Sequence, residues 1–231
     1  LRYLRRVMQW GRNRGYLDDN PARGLEAPKE RKQRRLPDTQ VMNALIQRAQ
    51  QRGQLSRGQL GACSPYLWIV MELSYLCRLR GIETITLTDA NEQPEGILTN
   101  RRKGSRDNIV EWTPRLQNAW DAAKAIRAQT WEKRKTAVNL QPARRPVIVG
   151  TSGRALSKSG LDTAWQRFIT AAIEDGVLTP EQRFGMHDFK RKGITDTKGT
   201  RADKQQASGH KDEAMMDIYD LSVPTVSPSS D

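Results

Sequence analysis

The sequence predicts a mainly α-helical protein with a small antiparallel β-sheet, an α+β fold. Three observations carry that expectation. Apolar residues recur at three- and four-residue spacing through most of the chain. Helix-start signals stand directly before several of those runs. Only one long stretch, residues 96–112, alternates instead, and it contains Lys103-Gly104-Ser105, a turn signal.

Taken in order, the elements read as follows. Leu1, Leu4 and Met8, with Val7 beside them, share one helical face, and Gly15 through Pro21 end that helix. The chain starts inside this pattern, which reads as the tail of a preceding helical domain. Residues 1–26 are assigned to the end of such a domain, 27–38 to a basic linker, 39–221 to one further domain and 222–231 to a mobile Ser- and Pro-rich tail. Asp38 caps a helix carrying Val41, Leu45 and Ala49. Ser64-Pro65 is a cap followed by a first turn, for a helix reaching Cys77. Residues 96–112 form the hairpin. Thr113-Pro114 opens a helix that turns Leu116, Trp120, Ala123 and Ile126 inward. Val147-Ile148-Val149 reads as an edge of the same sheet. Residues 159–173 form a helix with Leu161, Trp165, Phe168 and Ala172 inside. From His187 the pattern breaks into short helices ending near Tyr219. The six Trp residues fall mostly at helix-core positions.

Composition excludes several classes of protein. A chain of 231 residues can bury a core without disulfide staples. Its richest apolar run, residues 65–76, is shorter than the roughly 20 residues of a membrane span and carries Glu72. No signal-peptide pattern is visible. Cys63 and Cys77 have no metal-ligand spacing, so neither a disulfide scaffold nor a zinc site is expected, and the thiols of a cytoplasmic protein are the default.

Charge points to a polyanion. The chain holds 39 Lys and Arg against 26 Asp and Glu, a net charge of +13, with an isoelectric point near 10.1. Clustered basic residues release counterions condensed on a phosphate backbone, so the expected partner is double-stranded DNA. Residues 1–35 contain 11 basic and 4 acidic side chains, 11 − 4 = +7. Within that run Lys29, Arg31, Lys32, Arg34 and Arg35 are candidate phosphate contacts. Arg101, Arg102 and Arg106 are candidates on the hairpin.

The chemistry-bearing residues are few. The chain has two histidines, His187 and His210, both in basic surroundings, and Tyr219 stands nine residues past the second. His187-Asp188-Phe189-Lys190 resembles the H-x-x-R box of tyrosine recombinases, the phage-integrase group. Gly209-His210 followed by Tyr219 resembles their G-H-x8-Y box. Cys77-Arg78-Leu79-Arg80-Gly81-Ile82-Glu83 is similar to their T-G-x-R-x-x-E segment, and Lys103 falls in the hairpin where that family keeps a lysine. The boxes occur in the family's order and span about residues 36–221. Two departures stand out. Cys77-Arg78 replaces the family's T-G, and Lys190 occupies the second arginine position, with Arg191 one residue later.

The resemblance implies a tyrosine recombinase catalytic-domain fold and a recombinase or integrase of a phage or mobile element. Such an enzyme cuts and rejoins DNA through a 3′-phosphotyrosyl link with no metal, ATP or cofactor. It would work as a homo-oligomer, a tetramer on DNA, in a bacterial or phage-infected cytoplasm. The alternatives are DNA relaxation of the type IB topoisomerase kind and a DNA-binding module without catalysis. The implied catalytic set is Arg80, Lys103, His187, Lys190, His210 and Tyr219, with Arg191 as a substitute for the second arginine. A phosphodiester is an anion, so attack by a phenolate needs positive groups around it. Arg80 suits a bidentate clamp. His187 suits the base that takes the tyrosine proton, and Lys103 the acid that protonates the leaving 5′ oxygen. Lys190 shares the helical face of His187, three residues back, which favours it over Arg191 at the phosphate.

Overall fold

The chain's architecture follows from one helix that is apolar on every side. In the computed structural model, which describes residues 1–26, 36–56, 58–102 and 104–222, the run of residues 65–76 becomes helix α3 (Leu67–Leu76). Its Leu67, Ile69, Val70, Met71 and Leu73 are all buried completely. A helix without a polar face must be surrounded. Four longer helices do most of this: α2 (Thr39–Gly53), α5 (Pro114–Arg134), α6 (Lys158–Glu174) and α7 (Met186–Asp196). The one acid on α3, Glu72, is buried against the Nε of Arg115 at 2.9 Å. Among the described residues no helix is long and apolar enough to cross a membrane.

The capping chemistry sets where these helices begin. The Asp38 carboxylate accepts the Gln40 amide at 2.7 Å, and the Thr113 hydroxyl accepts the Leu116 amide with Pro114 at the first position. Ser157 starts α6 by accepting the Gly160 amide. At Ser64 the expectation shifts by one turn. Pro65 and Tyr66 form a turn closed by the Leu67 amide on the Ser64 carbonyl, and the helix proper starts after it.

The sheet is small and antiparallel, in the order β1 (Glu92–Gln93), β2 (Gly96–Leu98), β3 (Ile109–Glu111). Ile97 faces Val110 across the hairpin and Leu98 faces Ile109. Val147-Ile148-Val149 does not extend this sheet. All three residues are buried, and the Val147 amide bonds the Leu87 carbonyl at 2.9 Å. A fully apolar run has no solvent face to offer at a sheet edge, so it is drawn into the core beside the chain around Leu87.

Two compact units divide the chain, Leu1–Arg35 and Leu36–Asp231. The first contains α1 (Arg2–Asn13). A returning turn is pinned to it by Asn20, whose amide donates to the Arg5 carbonyl at 3.1 Å, and by Arg5 Nε on the Ala22 carbonyl. The apolar face of α1 is open within this unit: Leu4 is 43% and Trp10 54% exposed. Trp10 is therefore no core residue, unlike Trp68, Trp120 and Trp165. The basic run 27–35, including Lys29, Arg31, Lys32, Arg34 and Arg35, lies outside the described residues, as do Lys103 and residues 223–231.

Candidate active site

The second unit folds so that three separated segments meet at Tyr219. The first is the turn after α3. Arg80 begins the short helix α4 (Gly81–Thr84). Its guanidinium donates to Glu83 Oε1 at 2.7 Å, and its backbone amide donates to Oε2 at 2.7 Å. Glu83 is completely buried and also accepts the Arg102 amide at 3.0 Å. One carboxylate thus fixes the direction of Arg80 and anchors the root of the hairpin. Burial opposes its ionisation, but Lys190 and the amides of Arg80 and Arg102 outweigh that and hold its pKa below the usual range.

The second segment is α7. Asp188 accepts the Gly185 amide at 2.8 Å, which starts the helix, and its other oxygen holds Arg191 at 2.9 Å. The helix lies so close to α3 that a Cβ on Gly193 would sit 2.1 Å from the Tyr75 carbonyl oxygen. This proximity drives Lys190 inside. Lys190 is wholly buried, with Nζ 3.8 Å from Glu83 Oε2 and no hydrogen-bond partner among the described residues. Burial pushes its pKa down to about 7, and Arg80 and Arg101 add to the fall against the pull of Glu83.

The third segment runs from α8 (Arg201–Ser208) to α9 (Met216–Tyr219). Gly209 ends α8 at φ 71°, the left-handed region. His210 follows, its Nδ1 sharing a 2.9 Å hydrogen bond with the Ser208 hydroxyl. Its Nε2 has no partner among the described residues. The Tyr219 ring is 5% exposed. It lies 4.5 Å from the His210 ring and 5.4 Å from the His187 ring. Lys190 Nζ is 5.7 Å and Arg191 Cζ 6.0 Å from the ring centre. The pairing with Glu83 first, and then the nearby Tyr219 phenol, outweigh burial and raise the Arg80 pKa. Burial first, then neighbouring cations, push both histidines down to about 4. Both rings are thus neutral at neutral pH.

Arg80, His187, Lys190, Arg191 and His210 are therefore gathered around one phenol, that of Tyr219. Lys190 and Arg191 both reach the ring, from different depths: Lys190 is sealed against Glu83, while Arg191 keeps its side chain 23% exposed. Arg102 and Arg106 are exposed on the hairpin. Arg101 departs from the expectation of a surface phosphate contact. It is 8% exposed, and its guanidinium binds backbone carbonyls. Its place beside two exposed arginines gave no hint of this. Sequence reasoning also missed Ser208, although it stands two residues before His210. It missed Thr195 and Lys204 as well, which hold the tyrosine segment from behind.

No family model and no curated protein matches the sequence, but solved structures match the fold. A lambda integrase dimer bound to a COC′ core site aligns with a TM-score of 0.64 at 14% identity, over 97% of this chain and 59% of that one. XerA recombinase aligns at 0.56 and 15%, over 87% and 66%. The Tn1549 transposon integrase in complex with circular intermediate DNA aligns at 0.64 and 12%, over 96% and 73%. The fold is that of the tyrosine recombinase catalytic domain. The chain spans less than two thirds of the lambda integrase and XerA chains.

Proposed function

We propose that the chain is a site-specific recombinase of the tyrosine recombinase family, cutting and rejoining double-stranded DNA through Tyr219. One observation carries the reading. A single phenol is ringed by Arg80, Lys190, Arg191 and two neutral imidazoles, and the buried Lys190 Nζ and His210 Nε2 lack hydrogen-bond partners among the described residues. Buried donors are normally satisfied, and His210 Nε2 is a donor in the tautomer whose Nδ1 accepts from the Ser208 hydroxyl. Donors converging on a nucleophile suit an anion that arrives with the substrate.

In this reading the Tyr219 oxygen attacks the scissile phosphorus. The phosphorus–oxygen bond to the 5′ side breaks, and the 3′ phosphate stays on the tyrosine. Arg80 and His210 hold the nonbridging oxygens. Lys190 adds charge beneath the ring, and Arg191 adds it from the more open side. His187 receives the phenolic proton. Burial and the neighbouring cations lower its pKa against the pull of Asp188, and a bound phosphate offsets those cations and raises its basicity. Lys103 supplies the proton to the leaving oxygen. The reverse reaction with another strand's 5′ hydroxyl completes strand exchange, within a homo-tetramer on DNA. The energy of the phosphodiester is kept in the tyrosyl ester, so neither metal nor ATP is required.

The test is adduct capture from a library of nicked duplexes of randomised sequence, in excess EDTA. Parent protein should become covalently linked to DNA, and peptide mapping should place the link on Tyr219. Tyr219→Phe loses one oxygen, so DNA binding should persist and the adduct should vanish. Adduct formation by that variant would remove Tyr219 from the mechanism. Binding without any adduct from the parent would favour a DNA-binding module.

A further inference from the structure

The second unit contains an arginine whose hydrogen bonds join two of the segments that build the site. Arg101 donates from one terminal nitrogen to the Arg78 carbonyl at 2.8 Å. The other terminal nitrogen reaches the Cys77 carbonyl at 3.1 Å, the Ala207 carbonyl at 2.9 Å and Asn108 Oδ1 at 3.1 Å. Its own amide is held by Asp107 Oδ1 at 2.6 Å. Cys77 and Arg78 lie just before Arg80. Ala207 lies three residues before His210, at the end of α8, where carbonyls lack partners in the helix and favour cations.

Other groups converge on the same point. The Ala207 carbonyl also accepts Arg78 Nε at 3.1 Å and Asn108 Nδ2 at 3.0 Å. The Arg106 amide bonds the Gly209 carbonyl at 2.8 Å. Gly209 leaves room for all this: a Cβ there would lie 2.5 Å from Arg101 Cδ and 2.3 Å from the Arg106 carbonyl oxygen. Arg78 sits at φ 53°, a left-handed conformation unfavourable for a residue with a side chain. It stands where the resembled motif has glycine. Its carbonyl and its own guanidinium are both used in the junction, which offsets that strain.

We propose that Arg101 is a positioning residue that sets the separation between the Arg80 turn and the His210 turn, so that both side chains meet one phosphate. This rests on the reading of Tyr219, Arg80 and His210 as a phosphoryl-transfer site. A guanidinium is suited to the task because its planar fork spans several carbonyls at once, which an ammonium cannot do. The position contacts no reacting atom and works through its neighbours.

The test uses full-length protein and the duplex selected by adduct capture, made with either the natural phosphate or a methylphosphonate at the scissile position. The methylphosphonate lacks one negative charge, so it needs less of a clamp. Arg101→Gln and Arg101→Lys should each slow single-turnover adduct formation on the phosphate about a hundredfold, the cost of roughly 1 Å of misplacement. DNA affinity and its salt dependence should stay at parental values. On the methylphosphonate the deficit should shrink to a few-fold, as it should for Arg80→Ala. Arg101→Lys keeps the charge and guards against a variant that fails to fold. Near-normal cleavage by Arg101→Lys, or a salt slope flattened by about one unit in Arg101→Gln, would mark a phosphate contact and overturn the proposal. Equal slowing on both substrates would mark a merely structural role and overturn it too. If Arg80→Ala is rescued by the methylphosphonate and the Arg101 variants are not, only the positioning role falls. If Arg80→Ala loses nothing on either substrate, the phosphoryl-transfer reading falls and takes the positioning role with it.

Discussion

Helices α3 and α9 lie in the same unit and are held in opposite ways. Around α3, buried apolar residues from five helices form one continuous core that includes Met42, Leu45, Trp120, Trp165 and Phe189. Around α9 the apolar contacts reduce to Ile194, Met216 and the Tyr219 ring, with Met215 and Ile218 at the edge. Polar bonds make up the remainder. Thr195 donates its hydroxyl to the Tyr219 carbonyl at 3.3 Å and accepts the Leu221 amide at 3.1 Å. Lys204 Nζ, nearly buried, reaches the Thr195 carbonyl, Asp220 Oδ1 and Ser222 Oγ at 2.9 to 3.1 Å. In the proposed reaction the cations belong to the stiff region and the nucleophile to a small docked one. Few apolar contacts mean that a segment opens locally at a lower free energy than the whole unit. On the proposed function, Arg80 and Lys190 therefore stay in place at the phosphate while Tyr219 undocks.

The sharpest way to break this contrast is to weaken each region separately. Leu73→Ala removes a wholly buried side chain from α3 and should destabilise the entire unit by about 2–5 kcal/mol. Lys204→Met removes the charge that pairs with Asp220. A half-buried carboxylate left alone would be costly, but here the segment can undock instead. Global unfolding by urea should shift little, while amide exchange across residues 216–221 should accelerate. If Lys204→Met lowered the global stability as much as Leu73→Ala, α9 would belong to the main cooperative core and the contrast would be lost.

Lys190 is where the two regions meet, since it faces Glu83 on one side and the Tyr219 ring on the other. Lys190→Ala should cut single-turnover cleavage about a hundredfold with a modest loss of DNA affinity. Arg191→Ala should do less, because its charge is largely returned to Asp188. Lys190→Arg is a stricter test than the sequence implies. The site is fully enclosed, so the wider group should be overpacked and destabilising by about 1–3 kcal/mol. The pH dependence separates two roles. With its pKa lowered to about 7, Lys190 is charged below that value and neutral above it. If the charge assists attack, cleavage at low DNA concentration should fall as pH rises through about 7. Saturating DNA should move that limb upward, since a nearby anion favours the protonated form. A rate that instead rises through 7 would make Lys190 the acceptor of the tyrosine proton.

The sequence made the stiff region legible and left the docked one largely hidden. Asp38, Thr113-Pro114 and the alternation from Gly96 to Trp112 announce their elements through local bonds, which depend on neighbours in sequence. Strand β1 is only Glu92–Gln93, too short and too polar to carry a pattern. The motif residues pointed to the gathering at Tyr219 because order and spacing survive in one dimension. The roles of Lys204 and Arg101 depend on contacts spanning 18 and 106 residues, and nothing local distinguishes a basic residue that bonds carbonyls from one that faces solvent. The same limit applies to Lys190. A helical wheel places it beside His187, but its complete burial comes from the close approach of α7 to α3 at Gly193.

The smallest expected effect concerns the exposed hairpin arginines, and it separates contacts with DNA from contacts within the fold. Arg102 and Arg106 present their side chains to solvent while their backbone amides are held by Glu83 and Gly209. Replacing both with Gln leaves those amide bonds intact, so stability and the cleavage rate at saturating DNA should change little. Each side chain that meets a phosphate releases counterions, so the double variant should flatten the slope of log affinity against log salt by up to about two units. Neutralising two residues among Lys29, Arg31, Lys32, Arg34 and Arg35 should flatten it by a similar amount if that run tracks the backbone. The Arg102 and Arg106 measurement is the more telling. Arg101 stands next to them in sequence with the same charge, and its fork is committed to carbonyls. A slope that responds to Arg102 and Arg106 but not to Arg101 would assign the hairpin's charge to its exposed arginines alone. A slope indifferent to all three would move the DNA contact off this hairpin, leaving Glu83's hold on Arg102 a matter of folding alone.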